Sequence, residues 1–178
     1  MEIRTDMARI EKIGFGTDSD HIINLSAPVG SRNAVNNPDD VLVVQALLKY
    51  ISRSMRKSGT QMHELIGIRC PEPTGAFNPA TARAILAFQK YQNTIRGGLD
   101  SITIIEDGRV SPAQGSNLFG RNAYLWTIIS LNMLAEYCYI IDYPDRKGTY
   151  IKHICKRFPA VRAALERDSV GTLGLDLE

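Results

Sequence analysis

A mainly α fold is what this 178-residue chain predicts, and three observations carry that prediction. Two segments, "NNPDDVLVVQALLKYI" and "FNPATARAILAFQKYQ", open with Asn-Pro and continue with apolar residues at helical spacing. A third, "RNAYLWTIISLNMLAEYCYIIDYP", is the most apolar stretch of the chain, whereas β-branched runs are short. With 44% apolar and 22% charged residues, the composition suits one compact unit with appendages. The expected architecture is a compact helical core with a short β-hairpin and additional C-terminal helices.

Taken in order, residues 1–20 read as a loosely attached N-terminal arm. Its start, "MEIRTDMARIEKIGFG", has no continuous apolar run behind a basic stretch, so neither a secretory leader nor a membrane span is expected. Synthesis in the cytoplasm without a signal peptide, with any export by a non-classical route, is the matching expectation. "HIINLSAPVG" then reads as extended, and "SRNAVNNP" as a loop of turn formers.

At "NNPDDVLVV", Asn37 can accept backbone N–H groups as N-cap. Pro38 suits the first helical position, and Asp39 and Asp40 complement the positive helix end. Val41, Val44, Leu47, Leu48 and Ile51 follow on one face, predicting an amphipathic helix over 38–53. Ser58-Gly59 breaks the pattern, a short helix is expected over "QMHELI", and Pro71 and Pro73 bar a long one. The cap then returns as Asn78-Pro79. Ala82, Ile85 and Phe88 lie 41 positions after Val41, Val44 and Leu47, so a helix over 79–92 with the same apolar register is expected to share one core with the first.

"SITIIEDGRVSP" places β-branched residues before Asp107-Gly108, predicting a small hairpin or extended arm. The apolar segment predicts a buried helix over 122–140, stopped by Pro144. Its stripe Tyr124, Ile128, Leu131, Leu134 and Tyr137 predicts a core or oligomer contact. A last helical region over 150–168 is broken near Pro159, and the tail "SVGTLGLDLE" reads as frayed.

The combination of "SAPVG", N-x-P-x-D-V-x-x-V-Q-x-L-L, G-x-F-N-P-x-T-x-x-A-I-x-x-F-Q and D-G-R-V-S-P resembles the peptidoglycan-binding-like domains. It is carried by Asp40, Val41, Val44, Gln45, Leu47 and Leu48, then by Gly75, Phe77, Thr81, Ala84, Ile85, Phe88 and Gln89, and finally by Asp107, Gly108, Val110 and Pro112. The match covers about residues 26–115. The resemblance implies a three-helix module in which two similar helices, each with a Gln-containing motif, pack through a glycine turn that borders the ligand groove. Residues 21–115 would form that core, with 116–178 a helical extension packed on it. Here Thr74-Gly75 replaces the family's Asp-Gly, Asn78-Pro79 stands where a Gly-Pro often lies, and the insert between the helices is longer.

The resemblance further implies a noncatalytic module that recognises bacterial cell wall; because no export signal is expected, delivery by a phage or a contractile injection system would be the route that brings it there. The alternative is a structural or adaptor protein of a phage or secretion apparatus that binds a protein partner. The candidate ligand contacts are Gln45 and Gln89, whose amides suit glycan or peptide, Tyr50 and Tyr91, whose rings can stack on sugar faces, and Gln92 beside them. The same amides could equally satisfy loop backbone, and the same rings could close over the core.

No cofactor, metal or nucleic-acid partner is expected. A net charge of +2, with 21 basic and 19 acidic residues interspersed except for the basic stretch "RKGTYIKHICKRF", which reads as solvated surface, makes no demand for a polyanion. His21, His63 and His153 show no zinc-peptidase spacing, and "HIC" at His153 and Cys155 offers two metal ligands at most. Cys70, Cys138 and Cys155 are an odd, widely spaced set and read as free thiols. Glu64, Glu72, Glu106 and Glu136 are the candidates for a glycosidase pair, with Glu136 alone in apolar surroundings. A cell-wall hydrolase is therefore the third reading, and a lytic band in zymography would be needed to raise it.

Overall fold

The computed structural model describes residues 7–12, 21–57, 71–96, 103–114, 124–144 and 149–168. Its elements in chain order are β1 (Arg9–Lys12), β2 (His21–Asn24), β3 (Val29–Gly30), α1 (Pro38–Lys57), α2 (Pro79–Arg96), β4 (Arg109–Val110), α3 (Thr127–Asp142), α4 (Tyr150–Arg157) and α5 (Pro159–Asp168). The fold is mainly α, with two small antiparallel strand pairs. The expected short helix over "QMHELI" and the frayed tail lie outside the described residues, as do His63, Glu64 and Cys70.

Both Asn-Pro starts cap as their chemistry requires. Asn37 Oδ1 accepts from Asp39 N at 3.1 Å, and Asn78 Oδ1 accepts from Thr81 N at 2.9 Å. Asp40 does more than complement a helix end. Its buried carboxylate accepts from Ser26 N, Ser26 Oγ and Ala27 N at 3.0, 2.7 and 2.9 Å, tying α1 to the bend between β2 and β3. Burial raises its pKa, with the bonds from Ser26 and Ala27 acting in the opposite direction.

Val44, Leu47, Ile85 and Phe88 do share one core, and so do Ile128, Leu131, Ile154 and Val161 from beyond residue 115. One apolar cluster thus joins the expected core and its expected C-terminal extension. Helix α1 is central: α2, α3, α4, α5 and β3 all pack on it, and every residue from Asp40 to Leu48 is buried. The amphipathic helix expected there is enclosed on all sides over its first half. Helices α1 and α3 end together, where Ser54 Oγ donates to Asp142 Oδ2 at 2.8 Å. Thr149 caps α4 by accepting from Lys152 N, and Pro159, which has no N–H to continue the ladder, starts α5 afresh.

The β structure differs from expectation in its pairing. Asp107-Gly108 turns no local hairpin; β4 after it pairs with the distant β3, Val29 opposite Val110. The local hairpin is N-terminal instead, with Ile10 opposite Ile23, so residues 9–12 of the expected loose arm are a strand over a buried Ala8. Helix-period patterning is absent from such two- and four-residue strands, so their partners were open to tertiary choice.

Side-chain amides complete what these short strands lack. Asn132 Oδ1 accepts from Ile23 N at 2.9 Å while its Nδ2 donates to Ile23 O at 3.0 Å, closing the outer edge of β2 as a third strand would. Asn24 makes the same double bond to Ala113, Asn36 to Gly30, and Asn93 to Ile104. An Asn amide presents the donor and acceptor of a peptide group, so one side chain can satisfy both backbone groups of one residue. That is how extended segments stay paired inside a helical protein.

Candidate functional site

Gln45 and Gln89 sit at equivalent places and do equivalent work. Gln45 Oε1 accepts from Thr74 N at 2.9 Å and Gly75 N at 3.0 Å, and its Nε2 donates to Ala76 O at 3.0 Å and Thr81 Oγ1 at 2.9 Å. Gln89 Oε1 accepts from Gly108 N at 2.8 Å, and its Nε2 donates to Arg109 O at 2.9 Å, Asp107 Oδ1 at 3.0 Å and Thr127 Oγ1 at 3.3 Å. Each amide therefore grips a glycine N–H and the next residue's carbonyl. Gly75 and Gly108 have φ of 75° and 68°, a left-handed conformation that disfavours residues with a Cβ.

Aligned on these glutamines, the two helices repeat at 44 positions, not at the 41 of their caps. Val41 then matches Ile85 and Val44 matches Phe88, all buried, whereas the cap register matched Val41 to the half-buried Ala82. Helix α2 carries three more residues between cap and clamp, close to one turn.

All five expected ligand contacts lie inside. Gln45 and Gln89 are fully buried, with their amides committed to turns, the second of the two roles that the sequence left open for them. Tyr50, Tyr91 and Gln92 are 1%, 2% and 1% exposed, so neither ring offers a face for sugar stacking in this conformation. The Tyr50 and Tyr91 hydroxyls find no hydrogen-bond partner among the described residues. Burial raises the Tyr50 pKa and pushes that of Tyr91 up to about 12, so both stay neutral at physiological pH. Spacing alone cannot separate these cases, because a residue on the outward side of an isolated helix is inward once neighbours surround it.

The remaining candidates are dispersed. The His153 ring packs on Tyr50, Tyr139 and Tyr143 at centroid distances of 5.6, 5.6 and 4.7 Å. Glu72 is exposed and pairs with Lys49 at 2.6 Å, which holds its carboxyl below the usual range. Glu106 is exposed and accepts from Asn93 Nδ2, and Glu136 is half-buried on α3. Cys138 and Cys155 are buried free thiols whose pKa values burial pushes up to about 11. Among the described residues, no three or more His, Cys, Asp or Glu side chains are grouped so as to hold a metal ion. No described helix is long and apolar enough to cross a membrane.

What the surface does present is apolar. Met133, Tyr137, Ile140 and Ile141 of α3 are exposed, as are Val35, Ile95, Ile105 and Tyr124. Of the predicted α3 stripe, Ile128 and Leu131 are core, Leu134 is half-buried, and Tyr124 and Tyr137 face out. Ile140 and Ile141 were not singled out by sequence, though an all-round apolar helix was the signal available. Comparison of the chain with protein-family models, curated proteins and solved structures finds no match.

Proposed function

We propose that the chain is a noncatalytic binding module of the peptidoglycan-binding-like kind, recognising bacterial cell wall. The supporting observation is the doubled clamp: the residues that carry the resemblance, Gln45 with Gly75 and Gln89 with Gly108, hold two glycine turns in the same way. In this reading the turns, not the glutamines, meet the ligand. Their outward groups include the exposed Thr74, Glu106 and Asp107. Delivery to the wall by a phage or a contractile injection system belongs to the same proposal.

The test is pelleting with purified peptidoglycan sacculi beside a wall-free polysaccharide. Wild type should pellet with sacculi only, and Thr74→Ala combined with Glu106→Ala should reduce that without lowering Tm. A net charge of +2 gives too weak a field to hold an anionic polymer, so added salt should matter little. Failure of wild type to pellet ends the cell-wall reading.

A second reading is favoured by a specific observation, the exposed apolar face of α3. Apolar patches of this kind mark protein contacts, and in that reading the chain is an adaptor that binds a protein partner of a phage or secretion assembly.

A further inference from the structure

Helix α3 exposes four large apolar side chains in register. Met133, Tyr137, Ile140 and Ile141 are 36%, 56%, 57% and 51% exposed, and their i, i+4, i+7, i+8 spacing puts them in one stripe. At 1.5 Å per residue the stripe is about 12 Å long, two turns. A line of anchors at this spacing is what an amphipathic helix presents or receives.

Charge selects among the possible occupants. Of the sixteen residues of α3, only Glu136 and Asp142 are charged, and both are acidic. Glu136 lies beside the stripe, one residue before Tyr137. Ile140 and Ile141 occupy the last turn, where the helix dipole is negative and α3 itself has no basic residue to offset it. A second copy docked about a two-fold axis would bring both Glu136 carboxylates to the contact, with no Lys or Arg on either helix. An anionic membrane would meet the Glu136 carboxylate beside the same stripe.

We propose that this face is the docking site for a basic amphipathic helix of a partner protein, with an apolar ridge on the stripe and Lys or Arg beside Glu136 and the helix end. The proposal rests on the protein-binding reading and is independent of whether the chain pellets with sacculi.

Two fluorescent 18-residue helical peptides test it, sharing one leucine ridge and flanked by lysine in one and by glutamate in the other. Fluorescence anisotropy with the full chain at physiological salt should show the lysine peptide binding at least about tenfold tighter, against the chain's own positive charge. The pair Tyr137→Ser and Ile140→Ser should lower that affinity about tenfold, and Glu136→Gln about threefold, with Tm unchanged. Equal binding, or tighter binding of the glutamate peptide, overturns the charge assignment while leaving a docking face. Absence of binding to either overturns the site. A dimer in light scattering that Ile140→Ser dissolves assigns the face to a second copy, and binding to vesicles rather than peptide assigns it to lipid. A Tm lowered by several degrees in Ile140→Ser shows that the chain covers the face itself. Each of these last three results also overturns the proposal.

Discussion

Helices α1 and α3 pack against each other, yet the one with more charges is the one enclosed. Helix α1 carries six charged residues in twenty and is buried without a break from Asp40 to Leu48. Helix α3 carries two in sixteen and leaves Tyr137, Ile140 and Ile141 more than half exposed. The difference lies in the number of neighbours. Among the described residues, four helices and β3 surround α1, whereas α3 packs mainly on α1, α4, β2 and β4. Burial is thus a property of position in the packing, and apolarity in excess of burial marks a surface with another use.

The comparison can be broken most severely in the shared core. Phe88→Ala, removing a ring that α2 buries in the common cluster, should cost about 3–5 kcal/mol in urea unfolding. An effect below about 1 kcal/mol would mean that Phe88 is not part of the core. Asn132→Ala, on the inner side of α3, strands Ile23 N–H and C=O and leaves the Tyr150 hydroxyl only its longer bond to His21 O, and should cost about 3 kcal/mol by the same measurement.

Adjacent residues of α3 sharpen the contrast. Cys138 faces in at 4% exposure and Tyr137 faces out at 56%. With its pKa pushed from 9.0 to about 11, Cys138 should react with iodoacetamide at pH 8 roughly a hundredfold or more slowly than in the unfolded chain, while Tyr137 nitrates readily. The same shift has a stability consequence. The unfolded thiol ionises first, so the contribution is fully present below pH 9 and is lost as pH rises through about 11. Alkaline melts should show Tm falling across that window.

Smaller effects follow at the clamps and at the open face. Gln45→Ala and Gln89→Ala should each lower stability by about 1–3 kcal/mol, because glycine-turn groups lose their partners. A loss of sacculus pelleting with unchanged Tm in these variants would instead restore the glutamines as ligand contacts. Ile140→Ser, on the outer stripe of α3, should change stability by no more than about 0.5 kcal/mol in the isolated chain.

Where the signal was local, it was legible. Asn37 and Asn78 cap the helices that their Asn-Pro sequences announced, and Pro144 and Pro159 interrupt helices where a missing N–H must. The candidate site was harder to read. Gln45 and Gln89 were found, with both of their possible roles, but the choice between glycan and glycine turn depends on residues 18 to 31 positions away. Asn24, Asn93 and Asn132 gave no signal at all, since an asparagine that replaces a strand looks in sequence like any polar residue.

By itself, then, the order of residues determined the helices, their caps, the glycine turns and the pool of apolar residues from which a core is drawn. These follow from spacing and from backbone restrictions that act within a few residues. Tertiary structure decided that α1 lies at the centre, that β3 pairs with β4 across the chain, that Asn24 and Asn132 satisfy the backbone of Ala113 and Ile23, and that α3 keeps one apolar face open. Each of these depends on which surfaces meet over long separations, where a side chain's burial and its hydrogen-bond partner are set by neighbours that sequence proximity does not reveal.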